Sequence, residues 1–119
     1  MKVLSKFIVG LGVAIAAAAS SPAIAAPLTA SEVEEALIGK TIQGKRMGMT
    51  IKIKLEGNGS AAMESTIMDD TGNWRMNGPE LCMKWQSFNN GEERCSLITR
   101  EKDGYRLEGG PLMKVLPDS

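Results

Sequence analysis

The chain has two cysteines and no histidine, and this combination restricts the chemistry available to it. Without histidine, Ser-His and Cys-His nucleophile pairs and nearly all zinc sites are excluded. Cys82 and Cys95 are too widely spaced for a C-x-x-C redox pair, and no third cysteine exists to extend them into a metal-thiolate site. The even count favours one disulfide, which would close a loop of roughly 14 residues and contribute about 3 kcal/mol.

Methionine is the second residue type that could carry chemistry, because thioether sulfur selects Cu(I) among metal ions. The chain has eight methionines; Met47 and Met49 are predicted to share one strand face, and Met83 is near Trp85 in sequence. A Met beside a Trp resembles the site of small exported copper and silver chaperones, which generally add a histidine. The alternative is that methionine fills the core in place of scarce aromatic residues, and no bound cofactor is predicted.

Carboxylates could perform acid-base catalysis without histidine, as they do in glycosidases. The candidates are the adjacent pairs Asp69 with Asp70 and Glu92 with Glu93, together with Glu64. Each pair adjoins a predicted turn, where solvated charge is the ordinary explanation, and no pattern places two carboxylates across a cleft. The sequence therefore predicts no catalytic residues and a protein that is not an enzyme.

The aromatic residues Trp74, Trp85 and Tyr105, with Phe88, are the large side chains of the part that follows the first 25 residues. The simplest interpretation is that they fill a small core. The functional interpretation is that Trp74, Trp85 and Tyr105 line a pocket at one mouth of a barrel, where small apolar ligands commonly bind.

These residues are carried by a mainly β domain with one short helix at its start. The helix spans Leu28–Gly39, where Thr29 and Ser31 are each followed three residues later by a glutamate, as in a capping box. Gly39 ends it. Alternating apolar and polar runs between turn residues predict eight following strands: 41–46, 49–55, 61–68, 73–76, 81–88, 94–100, 105–108 and 112–116.

The short connections predict antiparallel pairing, because a parallel crossover needs about a dozen residues or more. A meander of seven or eight strands usually curls into a small barrel or folds into a two-sheet sandwich, and the helix could cover one open end. Asp69–Gly72 and Asn89–Gly91 are predicted turns. Cys82 and Cys95 face each other only if the hairpin between them turns near Phe88, so their register stays open.

The first 25 residues have the pattern of an export signal. Lys2 and Lys6 precede an apolar run from Phe7 to Ala19 that is too short to span a membrane, and small residues around Ala25 fit a cleavage site. Residues 1–25 are therefore predicted to be a cleaved signal peptide. Residues 26–119 are predicted to form one small domain, periplasmic or alternatively secreted, with no stable membrane anchor after cleavage.

Acidic and basic side chains are equal in number, at 14 each, and they are interspersed along the chain. A nucleic-acid binder would instead concentrate lysine and arginine on one face or segment. No nucleic-acid partner is therefore predicted.

Three motifs together resemble those of small exported bacterial proteins of unknown function: D-x-G-x-W at 70–74, L-C-x-x-W at 81–85 with Cys95 after it, and D-G-Y-x-L at 103–107. The resemblance implies export and a β fold, without an activity. We expect a non-catalytic binding or accessory domain for a protein partner or a small apolar ligand; one version inhibits a hydrolase by inserting Asn89–Glu92 or Asp69–Gly72. Soft-metal binding and a carboxylate-dependent hydrolase are the alternatives.

Overall fold

The computed structural model describes residues 26–117, so the predicted signal peptide lies outside the described residues. Within that range one short helix precedes nine strands, which confirms the mainly β class. The elements are α1 Ala30–Leu37, β1 Thr41–Arg46, β2 Met49–Leu55, β3 Ser60–Ser65, β4 Asp69–Asn77, β5 Glu80–Trp85, β6 Arg94–Ser96, β7 Ile98–Glu101, β8 Gly104–Leu107 and β9 Leu112–Val115. No helix in the described range has the length and apolar character needed to cross a membrane.

Helix α1 begins with the capping box that the sequence predicts at Thr29. The Thr29 hydroxyl accepts from the Glu32 backbone N–H at 3.2 Å, and the Glu32 carboxylate accepts from the Thr29 N–H at 2.9 Å. Hydrogen bonding from Thr29, first from its backbone N–H and then from its side chain, lowers the pKa of the Glu32 carboxyl. Val33 and Leu37 lie one turn apart on the same helix face and are fully buried, so α1 contributes directly to the core.

The nine strands form one antiparallel sheet in the order β6-β5-β4-β3-β2-β1-β9-β8-β7. The two edge strands, β6 and β7, are consecutive in the chain and are separated by Leu97 alone. The sheet must therefore curl until its two edges approach, and it forms a nearly closed barrel. This confirms the predicted barrel, and the alternative of two separate sheets does not form.

The run 94–100, predicted as one strand, divides at Leu97 into β6 and β7 and raises the strand number to nine. Leu97 is held by a neighbouring segment: its carbonyl accepts from the Glu108 N–H at 3.0 Å, and its own N–H donates to Glu108 Oε1 at 3.3 Å. The chain therefore changes partner at Leu97, from β5 before it to β8 after it.

The predicted turn at Asp69–Gly72 is wrong, because these residues begin β4 and residues 66–68 connect β3 to β4 instead. Asp70 lies opposite Met63 in the ladder with β3, and Gly72 lies within the ladders to both β3 and β5. Pairing on two sides thus overrides the local turn preference of an Asp-Asp-Thr-Gly sequence.

The two ends of the barrel differ, and we call them the helix end and the open end. Helix α1 lies at the helix end, where Leu28 N–H donates to Ile98 O at 2.8 Å and Gly39 N–H donates to Leu55 O at 2.6 Å. The β1–β2, β3–β4, β5–β6 and β8–β9 connections lie at the other end. The helix therefore closes one end as predicted, and any access to the interior is from the opposite end.

Candidate functional site

At the open end the barrel interior forms an apolar cavity of about 260 Å³. Side chains alternate between the two faces of a strand, so residues two apart share the inner face. The inward-facing side chains that form the cavity floor come from five strands and are Ile51, Ile53, Met63, Met83, Trp85, Leu107 and Met113. The open interior is thus lined by aliphatic groups, thioethers and one indole ring.

The outside of the barrel carries a larger depression of about 400 Å³, whose lining includes Lys52, Lys54, Ala62 and Glu64. These residues alternate with the inward-facing positions of β2 and β3, so their side chains are directed toward solvent. Lys52, Lys54 and Glu64 place charged side chains around this depression, whereas the interior cavity has an apolar floor. The interior cavity is the better candidate for a binding site.

The rim of the interior cavity is polar and includes two arginines at inward-facing positions. In β1, Ile42, Gly44 and Arg46 are each two residues apart, and Ile42 and Gly44 are buried. Arg46 therefore lies on the same, inward face of the strand. Arg94 lies directly opposite Met83 in the β5–β6 ladder and shares the inner face with it. Strands β1 and β6 are on opposite sides of the barrel, with four strands between them in one direction and three in the other.

The rest of the rim comes from two connections, the β5–β6 loop with Phe88 and Asn89, and the β8–β9 loop from Glu108 to Pro111. The first loop reverses through two consecutive asparagines with positive φ, Asn89 at 57° and Asn90 at 56°, followed by Gly91 at 73°. Asparagine and glycine tolerate this left-handed conformation better than other residues, which explains their use here.

Asp70 holds the β5–β6 loop in place. Its Oδ2 accepts from the backbone N–H groups of Ser87 at 3.0 Å and Phe88 at 2.9 Å, and its Oδ1 accepts from Thr71 N–H at 2.8 Å. These donors, with Phe88 the strongest, hold the pKa of the Asp70 carboxyl below its ordinary value. Asp70, predicted as one of a possible catalytic pair, therefore acts as the anchor of a loop that forms the cavity rim.

We expect Asp70→Asn to loosen this loop, because the variant loses the charge that strengthens the bonds to Ser87 and Phe88. Amide hydrogen exchange measured by NMR should be about tenfold faster at those two residues.

The hydrogen bonds from Ser87 and Phe88 to the Asp70 carboxylate should also depend on pH, because folding lowers the pKa of Asp70. They are at full strength above the ordinary aspartate pKa of about 3.9, and they are lost as the pH falls through the lowered pKa of the folded chain. Asp69→Asn, at the exposed neighbouring position, is the control, and equal acceleration in both variants would contradict the assignment.

Of the three aromatic residues predicted to bind a ligand, Trp85 lines the cavity and the other two do not. The Trp74 indole N–H donates to Glu56 O at 2.6 Å, next to the β2–β3 turn at the helix end. The ring of Tyr105 lies 5.6 Å from the Arg100 guanidinium carbon, a cation–π contact on the β7–β8 hairpin. The structure thus separates Trp74 and Tyr105 from the open end and places Phe88 at the cavity instead.

The three methionines proposed as metal ligands do not meet. Met47 occupies the β1–β2 turn with φ at 53° and is 90% exposed, so it does not share a strand face with Met49. Met83 lines the cavity, where its neighbours in the lining include Met63 and Met113. The thioether groups that lie around one space are therefore a different set from the one that sequence spacing suggested.

The carboxylates proposed for catalysis do not meet at the cavity, although Glu64 and Asp69 are opposite each other on the exposed face of the β3–β4 ladder. Glu93 forms a bidentate pair with Arg75, with both N···O distances at 2.8 Å, and this pairing lowers the pKa of Glu93 and raises that of Arg75. A general acid needs a raised pKa, whereas Glu93 and Asp70 are both shifted downward. Asp69, Glu64 and Glu92 are absent from the cavity lining.

The predicted disulfide between Cys82 and Cys95 is confirmed, and it lies on the outer side of the β5–β6 pair. The two residues are directly opposite in the ladder, which corresponds to a turn centred next to Phe88. Both sulfurs and a Glu93 carboxylate oxygen lie within 4.8 Å of one another, so the Arg75–Glu93 pair is next to the bridge. Since both sulfurs are consumed in the bond, this cluster supplies no thiolate ligand.

The disulfide indicates an oxidising, non-cytoplasmic compartment.

Sequence reasoning missed the rim residues Arg46 and Arg94, and it named Asn89 only as part of a turn and of a possible inhibitory loop. Alternation alone could have placed Arg46 on the inner face, since it follows Ile42 by four residues in a predicted strand. Arg94 could be placed only after the Cys82–Cys95 register was known, because the inner or outer side of β6 depends on that register.

No protein-family model, curated protein or solved structure matches this chain. The site must therefore be interpreted from its own geometry and chemistry.

Proposed function

We propose that this chain is an exported, non-catalytic binding domain that holds a small apolar ligand in the open end of its barrel. The observation that carries the proposal is the cavity of about 260 Å³ whose floor is formed by inward-facing apolar side chains. An apolar cavity of about 150 Å³ accommodates one benzene molecule, so the space here suits a ligand somewhat larger than a single ring or a short alkyl chain.

A small ligand is favoured over a protein partner because the apolar groups of the cavity face inward, and among the described residues the exposed large apolar side chains are Met47 and Ile67. A protein-binding site would place its large apolar side chains on the surface, whereas here Met63, Met83 and Trp85 lie inside the barrel. The loop Asn89–Glu92, considered as an inhibitory loop, contributes Asn89 to the rim and is tethered through Asp70. It is better suited to shaping the cavity entrance than to inserting into a partner.

The proposed compartment is the periplasm, with secretion as the alternative. The apolar segment and small-residue site within residues 1–25 support export, and the Cys82–Cys95 disulfide supports an oxidising destination. A domain with a covalent bridge and an apolar cavity would suit the capture or transport of a sparingly soluble compound outside the cytoplasm.

We expect the neutral apolar dye N-phenyl-1-naphthylamine to bind with one dye per chain and to gain fluorescence. Ile51→Trp should weaken this binding about tenfold or more, because Ile51 lines the cavity and a larger side chain there occupies the ligand space. The matched control is Thr50→Trp, which adds the same side chain at the adjacent, outward-facing position of β2. The dye should be excited at a wavelength longer than those that tryptophan absorbs, so that the added indole rings do not contribute to the emission.

Circular dichroism melting of both variants separates lost binding from lost folding. A dye that fails to bind the wild-type chain would contradict the proposal, as would a folded Ile51→Trp variant with unchanged affinity. Equal weakening by Thr50→Trp would move the site to the outside of the barrel.

A further inference from the structure

We infer that the ligand of this cavity is an amphipathic anion, an apolar body that carries a single carboxylate-like group. This inference rests on the proposed function and adds the chemical class of the ligand. It is drawn from the two arginines at the rim, Arg46 and Arg94, above the apolar floor.

Both arginines occupy positions where the alternation of the strand would ordinarily place an apolar residue. Arg46 continues the inner face of β1 after Ile42 and Gly44, and Arg94 continues that of β6 opposite Met83. Two exposed cations at the rim, above the apolar floor, match a ligand whose charged group remains at the entrance while its body is buried.

The two guanidinium groups are not engaged by the protein. Among residues 26–117 the two arginine–carboxylate pairs are Arg75 with Glu93 and Arg106 with Glu101, and within that range neither the Arg46 nor the Arg94 guanidinium has a hydrogen bond or ion pair. Guanidinium groups bind carboxylates through paired, charge-assisted hydrogen bonds, and these two retain all their donors for a ligand.

The charge at the rim remains positive when its acidic member is included. Among the described residues that line the cavity, Glu108 is the one carboxylate, and its Oε1 accepts from the Leu97 N–H at 3.3 Å. Glu108 therefore has a structural partner in Leu97, which joins β6 to β7, and the two arginines outnumber it. The entrance thus attracts an anion and disfavours a cation of the same shape.

Displacement of N-phenyl-1-naphthylamine by three ligands of equal chain length tests the inference: octanoate, 1-octanol and octylammonium. We expect octanoate to bind about fivefold or more tightly than octanol, with octylammonium the weakest. In the double variant Arg46→Gln with Arg94→Gln, the ratio of octanoate affinity to octanol affinity should fall to about one.

The matched control removes two positive charges from outward-facing positions next to the site. Lys45 precedes Arg46 in β1 and Lys84 follows Met83 in β5, and both are exposed. Lys45→Gln with Lys84→Gln should retain the octanoate preference, which separates contact at the rim from the effect of net charge.

The outcomes distinguish this inference from the function on which it rests. If octanol and octanoate displace the dye equally, or octylammonium is preferred, the anion assignment is overturned and the apolar site stands. A preference that survives in the double arginine variant also overturns it. If none of the three ligands displaces the dye, the inference fails; the proposed function fails only if the dye itself does not bind or if folded Ile51→Trp binds it with unchanged affinity.

Discussion

Replacing Cys82 and Cys95 with alanine is expected to lower the free energy of unfolding by about 3 kcal/mol, measured by urea denaturation. The bridge joins residues 13 apart in sequence, and removing it frees the unfolded chain to adopt the conformations that the closed loop excludes. A small domain has a total stability of about 5–15 kcal/mol, so the loss is a large fraction of the whole. The fully buried side chain of Cys82 adds a packing contribution in the same direction.

Reductant provides the control for this prediction. Wild-type protein with reductant should unfold at a urea midpoint slightly above that of the double alanine variant, because it keeps the buried Cys82 side chain. The variant itself should not respond to reductant. An unchanged wild-type midpoint, with the bond shown to be reduced by thiol counting, would contradict a stabilising role for the bridge.

The disulfide and Asp70 act on the same loop from different sides. The bridge fixes β6 against β5 beyond the loop, while Asp70 binds Ser87 and Phe88 at its beginning. Between these attachments, the asparagines with positive φ place Asn89 at the rim. The cavity entrance is thus built from a short segment restrained at both ends, which reduces the ordering that ligand binding would otherwise require.

Alternation along the strands was sufficient to predict most of the fold. In β2 the predicted inner residues Ile53 and Leu55 are buried, and Lys52 between the apolar positions is exposed. The helix was predictable because its signals are local: a capping box at Thr29 and a stop at Gly39. Local spacing decides such features, so one sequence is enough to find them.

The candidate site was less predictable because it depends on which strands meet around the barrel. Trp74 and Trp85 are both inward-facing aromatic residues, yet one is near the helix end and the other at the cavity. The position of each side chain along the barrel axis depends on the register and direction of its strand. The spacing of side chains within one strand gives no information on either. The same limitation kept Met63, Met83 and Met113 from being recognised as neighbours.

The first motif of the sequence has a structural explanation in β4. Its residues Asp70, Gly72 and Trp74 are two apart and share the inner side of the strand. Asp70 anchors the β5–β6 loop, and the Trp74 indole holds the end of β2 through Glu56. The motif therefore supports the walls of the cavity, although none of its three residues lines it.

Gly72→Ala is expected to lower the free energy of unfolding by about 3 kcal/mol, because a methyl group at this position would overlap the Lys84 carbonyl oxygen and approach the Trp85 backbone. Strand β5 cannot move away without disturbing Trp85 on the cavity floor, so binding of the apolar dye should weaken as well. The matched control is Gly57→Ala, where an added methyl meets nothing within 4 Å and the change in stability should stay within about 0.5 kcal/mol. If both variants have the same urea midpoint, the close approach of β4 and β5 at Gly72 is not what shapes the cavity wall.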